Sequence, residues 1–113
     1  MHLTSLLKDL TYGDKNPVIT KLMENEANKE VRIVFKKGQE MKKHQTIFPI
    51  TVEVFEGEIG FGVHDITYVL KKGDLISLKP NVSHNLIASE NSIVRLSLSK
   101  KDKVERVQKV NQQ

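Results

Sequence analysis

Residues 38–57 read GQEMKKHQTIFPITVEVFEG and residues 73–84 read GDLISLKPNVSH, and these two stretches decide the fold. In the first, Ile50, Val52 and Val54 alternate with Thr51 and Glu53, the period-two pattern of a strand with one buried face. Past the reversal at Glu56-Gly57, Ile59, Phe61 and Val63 share one side of the next strand with Glu58 opposite. In the second stretch and just beyond it, Val82, His84, Leu86 and Ala88 form one set and Ser83, Asn85 and Ile87 the other. His84 therefore shares the parity of buried residues and is expected to point inward. His44 and Thr46 share a face of their own strand, with Gln45 pointing away.

Outward from these stretches the same grammar continues. PVITKLM (residues 17–23) and EVRIVFKK (residues 30–37) are rich in β-branched residues and are joined by the polar loop ENEANK. Further short strands are predicted around 40–46, 50–56, 58–63, 66–71, 74–78, 82–88 and 92–99, with tight reversals at His64-Asp65 and Lys72-Gly73-Asp74. Nine short strands without a long helix predict an all-β sandwich or barrel. Ahead of them, Leu3, Leu6, Leu7 and Leu10 stand at helical spacing, which predicts a short N-terminal helix capping an open end of the barrel or a partner subunit. Val94, Leu96 and Leu98 are expected inside, and Ile93, Arg95 and Ser97 outside. The outward Ile87 and Ile93 imply that an outer sheet face is itself covered, most simply by a second copy in a homodimer.

A chain of 113 residues is expected to hold one domain: a core over about 31–99, an N-terminal helix and strand pair over 1–30, and a basic tail over 100–113. A separate DNA-binding module is not expected. The absence of cysteine excludes disulfides and thiolate metal sites and fits a reducing compartment. The start lacks the apolar core of a signal peptide, and no run reaches the roughly 18 apolar residues of a membrane span. A cytoplasmic protein with no membrane partner is the resulting expectation. Of the net charge of +4, the tail carries +3, from five basic and two acidic side chains. That charge is expected to serve solubility, although Val104, Val107 and Val110 at spacing three would allow a docked helical turn. With only six aromatic residues and none interleaved with the basic pairs, nucleic-acid binding is not expected.

The two opening stretches resemble the paired signature motifs of the cupin superfamily. The first motif runs Gly, five residues, His-x-His, three or four residues, Glu, six residues, Gly; the second runs Gly, five residues, Pro-x-Gly, two residues, His. Gly38, His44, Gly57, Gly73 and His84 fall into this frame, whereas Thr46 stands at the second His and Ile50 at the Glu. The resemblance implies a double-stranded β-helix, or jelly-roll barrel, of the RmlC-like kind, close to small stand-alone bacterial cupins. It also implies a metal held by three His and one carboxylate, of which only His44 and His84 remain here. A hydroxyl at Thr46 is a poor ligand and Ile50 has no donor atom. No resident cofactor is therefore expected beyond a weakly held Zn, Fe, Mn or Ni ion on His44 and His84.

Two kinds of function follow. One is a small-molecule-binding cupin, with His44 and His84 facing each other across a cavity and binding the polar end of an organic ligand. Thr46, Ile50, Val52, Phe61, Phe48 and Tyr68 would complete that site, Phe48 by folding over the mouth beside Pro49 and Tyr68 by hydrogen bonding. The alternative is a cupin enzyme of isomerase, epimerase or dioxygenase type, using His44 and His84 with a weak metal or as acid and base. Restoring His at position 46 and Glu at position 50 is expected on this frame to rebuild a four-ligand site.

Overall fold

The computed structural model describes residues 1–111. Its strands are β1 (Val18–Glu24), β2 (Asn28–Phe35), β3 (Glu40–His44), β4 (Ile50–Glu56), β5 (Glu58–Val63), β6 (Ile66–Lys71), β7 (Leu75–Leu78), β8 (His84–Ala88) and β9 (Ser92–Ser99), followed by one short helix, α1 (Val104–Gln108). They form a five-stranded sheet of order β1-β2-β9-β4-β7 and a four-stranded sheet of order β3-β8-β5-β6. All the strand pairings are antiparallel. The sheets face each other across one apolar core, so the all-β expectation holds.

Alternation places the core as expected. Ile50, Val52 and Val54 of β4, Ile59 and Phe61 of β5, Leu86 and Ala88 of β8, and Val94, Leu96 and Leu98 of β9 all belong to it. On the outer face of the larger sheet, Arg95 donates to Glu53 and to Glu30 at 2.8 Å each, which confirms the outward parity of Glu53. The reversals also follow local chemistry. His64 and Asp65 both take positive φ (52° and 64°), the pairing that a two-residue hairpin matched to strand twist requires. Gly57 has φ 93°, and a Cβ there would lie 2.3 Å from Ser92 Oγ and 2.4 Å from Asn91 O, so no other residue fits the turn between β4 and β5.

Three expectations are corrected. Residues 3–10 are not a helix: only a turn forms at residues 6–9, and Leu3 and Leu7 are 91% and 57% exposed. The cause lies in β2, where the buried Arg32 donates from Nη1 to the carbonyls of Leu6 (3.1 Å) and Lys8 (2.7 Å). A helix over 3–10 would need Leu6 O for its own bond from Leu10 N, and a two-turn helix is too short to compete for it. The segment instead lies as a strap on the outer face of the five-stranded sheet, with Gly13 O accepting from Gln39 Nε2.

Ile93 is the second correction: it points outward as expected but is buried, at 4% exposed, on the same strapped face as Arg32 and Val34. Ile87, in contrast, is 45% exposed. The third correction concerns the tail. Val104 and Val107 of α1 are buried and belong to the core cluster, and Asn111 clamps the chain end to β3 through Glu40 O (2.6 Å) and Lys42 N (3.0 Å). Residues 104–111 of the tail thus dock on the barrel, the turn that the valine spacing allowed, and residues 112–113 lie outside the described residues.

Candidate functional site

His44 closes β3 and His84 opens β8, and the two are register partners in the same sheet. Their pairing needs an irregularity. Met41 pairs with Leu86 and His44 with His84, so three steps along β3 answer two along β8. One extra residue in β3 makes a bulge, which turns His44 to the side that Met41 already occupies. The ring centroids lie 4.3 Å apart at 59°, and Phe61 stacks on the far side of His84 at 5.5 Å and 7°. The imidazoles therefore meet as expected, as cross-strand neighbours and not across an open cavity.

Each ring is oriented by its own strand. His44 Nδ1 lies 2.6 Å from Lys42 O and His84 Nδ1 lies 3.0 Å from Val82 O. A carbonyl only accepts, so each Nδ1 carries the proton and each Nε2 keeps a free lone pair. Burial depresses both pKa values, that of His44 from 6.5 to about 4, against the opposing pull of the backbone carbonyls. The charge of Arg106 pushes both down further, and for His44 the neighbouring His84 does as well. Near neutral pH the pair is thus two neutral imidazoles, each presenting an acceptor. Asn81, at the motif's second glycine position, takes φ 67° and donates its N–H to Thr46 O at 2.8 Å, which aims the chain into His84.

Thr46 lies beyond the end of β3 and is buried. Its hydroxyl donates to Asp102 Oδ2 at 2.8 Å and accepts from Phe48 N at 3.2 Å. Asp102, 3% exposed, also accepts from Lys103 N at 2.9 Å and from Arg106 Nε and Nη2 at 2.8 Å each. Burial alone would raise the Asp102 pKa, but the hydrogen bonds from Arg106 and Thr46 hold it below the ordinary carboxylate range. The residue at the second motif-His position is thus a lock that fastens α1 to the barrel. The sequence reading missed Asp102 and Arg106; their i, i+4 spacing ahead of the buried valines was the available signal.

Of the other expected site residues Phe61 reaches the pair, stacking on His84 from the core, whereas Val52, Ile50, Phe48 and Tyr68 line neither pocket beside the histidines. Val52 and Phe61 are packed in the core. Ile50, also in the core, pairs with Leu78 and Leu98 and lines a separate surface depression with Ser77, Ser97 and Ser99. Phe48 is half-buried on the loop after Thr46. Tyr68 pairs with Phe61 but stands on the edge strand β6, 46% exposed, so its ring is not a wall of an enclosed site. Two small pockets that share Lys43 reach the histidines. One, of about 180 Å³, reaches His84 past Gly62, Val63 and Asn85; the other, of about 170 Å³, reaches His44 past Gln45, Arg106, Lys109 and Val110.

The donor set can be tested against the metal that the motif implies. Thr46 Oγ is committed to Asp102, Ile50 offers nothing, and among the described residues no three His, Cys, Asp or Glu side chains come together as ligands. Two imidazole nitrogens fall short of the three protein ligands usual for a catalytic metal, so the residues present do not fit a resident ion.

Two facing antiparallel sheets of this order, with the motif glycines at left-handed turns, define a double-stranded β-helix. Within that class the chain has the RmlC-like cupin fold, as comparison with solved structures shows. An RmlC-like cupin from Desulfovibrio desulfuricans superposes with TM-score 0.80 at 24% identity, over 88% of this chain and 96% of that one. An RmlC-like cupin from Shewanella frigidimarina NCIMB 400 gives 0.69 at 27% identity, covering 75% and 77%. A putative mannose-6-phosphate isomerase from Ralstonia eutropha JMP134 gives 0.75 at 17% identity, covering 88% and 98%. No protein-family model and no curated protein matches the sequence. Among the described residues no helix is long and apolar enough to cross a membrane.

Proposed function

We propose that the protein is a small-molecule-binding cupin whose recognition centre is the His44–His84 pair in place of a complete metal site. The observation that carries this reading is the shared tautomer: both Nδ1 atoms are tied to carbonyls, leaving a neutral Nε2 acceptor on each of two rings whose centroids lie 4.3 Å apart. Such a pair suits a ligand with hydroxyl or amide donors, and it holds its geometry before the ligand arrives. The packed core leaves no room for a large apolar body, so the ligand is small and enters from the barrel end. The test is a thermal-shift screen of polar small molecules on untagged protein, with metal content measured in parallel. Ligands that stabilise the wild type but neither His44→Phe nor His84→Phe are the expected result. Stoichiometric metal after purification, or equal stabilisation of the variants, would overturn it.

The enzyme alternative draws on the same pair, since depressed imidazoles beside a pocket are frequent at catalytic centres, and the similar structure from Ralstonia eutropha is that of a putative mannose-6-phosphate isomerase. Asp65 and His64 also line the His84 pocket; binding is the preferred reading because both rings are held in one neutral tautomer by their own strands. We also propose that two copies associate through the free margin of the smaller sheet. Ile66, Tyr68 and Val69 of the edge strand β6 are 54%, 46% and 59% exposed, and Ile87 of β8, in register with Val69 across Gly60 of β5, is 45% exposed. An apolar strand with unpaired N–H and C=O groups calls for cover. Light scattering should give twice the 12.9 kDa chain mass, falling to the single-chain mass in Val69→Lys; a monomeric wild type would refute the association.

A further inference from the structure

The pocket beside His44 is walled on its other side by the C-terminal helix and its exit. Lys43, Gln45, Arg106, Lys109 and Val110 line it with His44, and its volume is about 170 Å³. At about 30 Å³ for each water-sized unit, that is room for roughly six non-hydrogen atoms. Three of the six lining residues are cations and none is acidic.

The nearby Asp102 carboxylate offsets one of these charges, that of Arg106, to which it gives both oxygens, and leaves Lys43 and Lys109 as the net positive charge of the wall. Arg106 spends Nε and Nη2 on Asp102, and among the described residues Nη1 has no hydrogen-bond partner. Lys43 and Lys109 are exposed and form no ion pair among the described residues. The guanidinium is thus fixed in place by its own ion pair while one edge remains available, and two mobile ammonium groups flank it. A fixed arginine fork beside flexible lysines is the arrangement that recognises negatively charged oxygens.

We propose that this pocket is an oxyanion subsite. It takes the carboxylate or phosphate group of a small ligand through Arg106 Nη1, Lys43 and Lys109, while the ligand's donor groups meet the histidine pair. The proposal rests on the reading of His44 and His84 as the recognition centre and adds the charge of the ligand to it. It also gives the basic tail a role: the helix that the Asp102 lock docks carries Arg106, and the residue that ends it is Lys109.

The experiment titrates the full chain at low ionic strength with inorganic phosphate and, separately, with acetate, following the imidazole NMR signals of His44 and His84. Wild type is compared with Lys43→Gln/Lys109→Gln, whose two positions are exposed and outside the core, so that folding is preserved. At least one anion should move the His44 signals saturably, and the double variant should bind about tenfold more weakly. The stronger probe tells whether a planar carboxylate or a tetrahedral phosphate fits. Anion binding unchanged in the double variant, or silent at His44, would show an adventitious ion only and overturn the subsite. If neither anion moves the rings while an uncharged ligand does, the subsite fails and the histidine reading stands. If no ligand of either kind reaches the rings, both fail.

Discussion

Asp102→Asn is the most exposing single change, because it keeps the shape of the side chain and alters only what the lock depends on. One oxygen of Asp102 accepts from Lys103 N and Arg106 Nε, the other from Thr46 Oγ and Arg106 Nη2. An amide offers one oxygen, so whichever way it turns, its NH₂ group faces donors. Removing one partner of a fully buried ion pair costs about 3–5 kcal/mol, since the other charge stays buried. Arg106 keeps 28% side-chain exposure and recovers part of its hydration, which brings the expected loss to about 2–3 kcal/mol. Thr46→Val, which removes one neutral donor to the same carboxylate, should cost about 1–2 kcal/mol. Because both changes act on one group, the double variant should lose less than the sum by at least about 0.5 kcal/mol. Urea unfolding of the four proteins measures all of this. An Asp102→Asn loss under about 1 kcal/mol, or strict additivity with Thr46→Val, would show that the network is not what docks the helix.

Two further outcomes follow from the same geometry. His44 is neutral in the fold with its pKa lowered from 6.5 to about 4, so the unfolded chain takes up the proton first as pH falls. The stabilising contribution is complete above about pH 6.5 and is lost progressively down to about pH 4, by up to roughly 3 kcal/mol; urea midpoints at pH 7.5 and 4.5 should show it, and His44→Phe should flatten it. Truncation after Lys101 removes the buried Val104 and Val107 together with Asp102. It should cost at least about 3 kcal/mol, read by the same unfolding curves, whereas a purely solubilising tail could be deleted without effect.

What could be read from the chain divides along a physical line. Local rules placed the nine strands, the reversals at Gly57, His64-Asp65 and Gly73, and the inward faces of β4, β5, β8 and β9, because a two-residue period reports burial directly. The failures are contacts between residues distant in sequence. The Leu3–Leu10 stripe has helical spacing, but Arg32, 24 and 26 residues away, takes its carbonyls. Ile93 is outward by parity, as expected, yet parity cannot say that a strap lies on that face. Thr46 meets Asp102 across 56 residues and Glu40 meets Asn111 across 71, so neither could be found by a local pattern. The bulge in β3 shows a subtler limit. Parity counted from Met41 would have turned His44 outward, and only the pairing with β8 shows that the extra residue restores it.

The same distinction bears on restoring the missing ligands, which the motif frame makes attractive and the packing does not. Thr46→His would place a larger ring in a buried position and remove the hydroxyl that serves Asp102 and Phe48 N. Ile50→Glu would set a carboxylate between Leu78 and Leu98, at a residue 5% exposed, with no cation there to receive it. A carboxyl in such surroundings protonates rather than ionises, and a protonated acid is a poor ligand. A metal would have to offset both losses before it gained anything from four-coordination. The expected result is therefore a destabilised protein with zinc affinity little above that of the two-histidine pair, measured by titration calorimetry beside urea unfolding. Sub-micromolar zinc binding by Thr46→His/Ile50→Glu with stability retained would mean that the barrel end is more open than its packing indicates. The two positions are thus better understood as occupied by other work than as vacant: Thr46 fastens the helix that walls the His44 pocket, and Ile50 is packed in the core as register partner of Leu78 and Leu98.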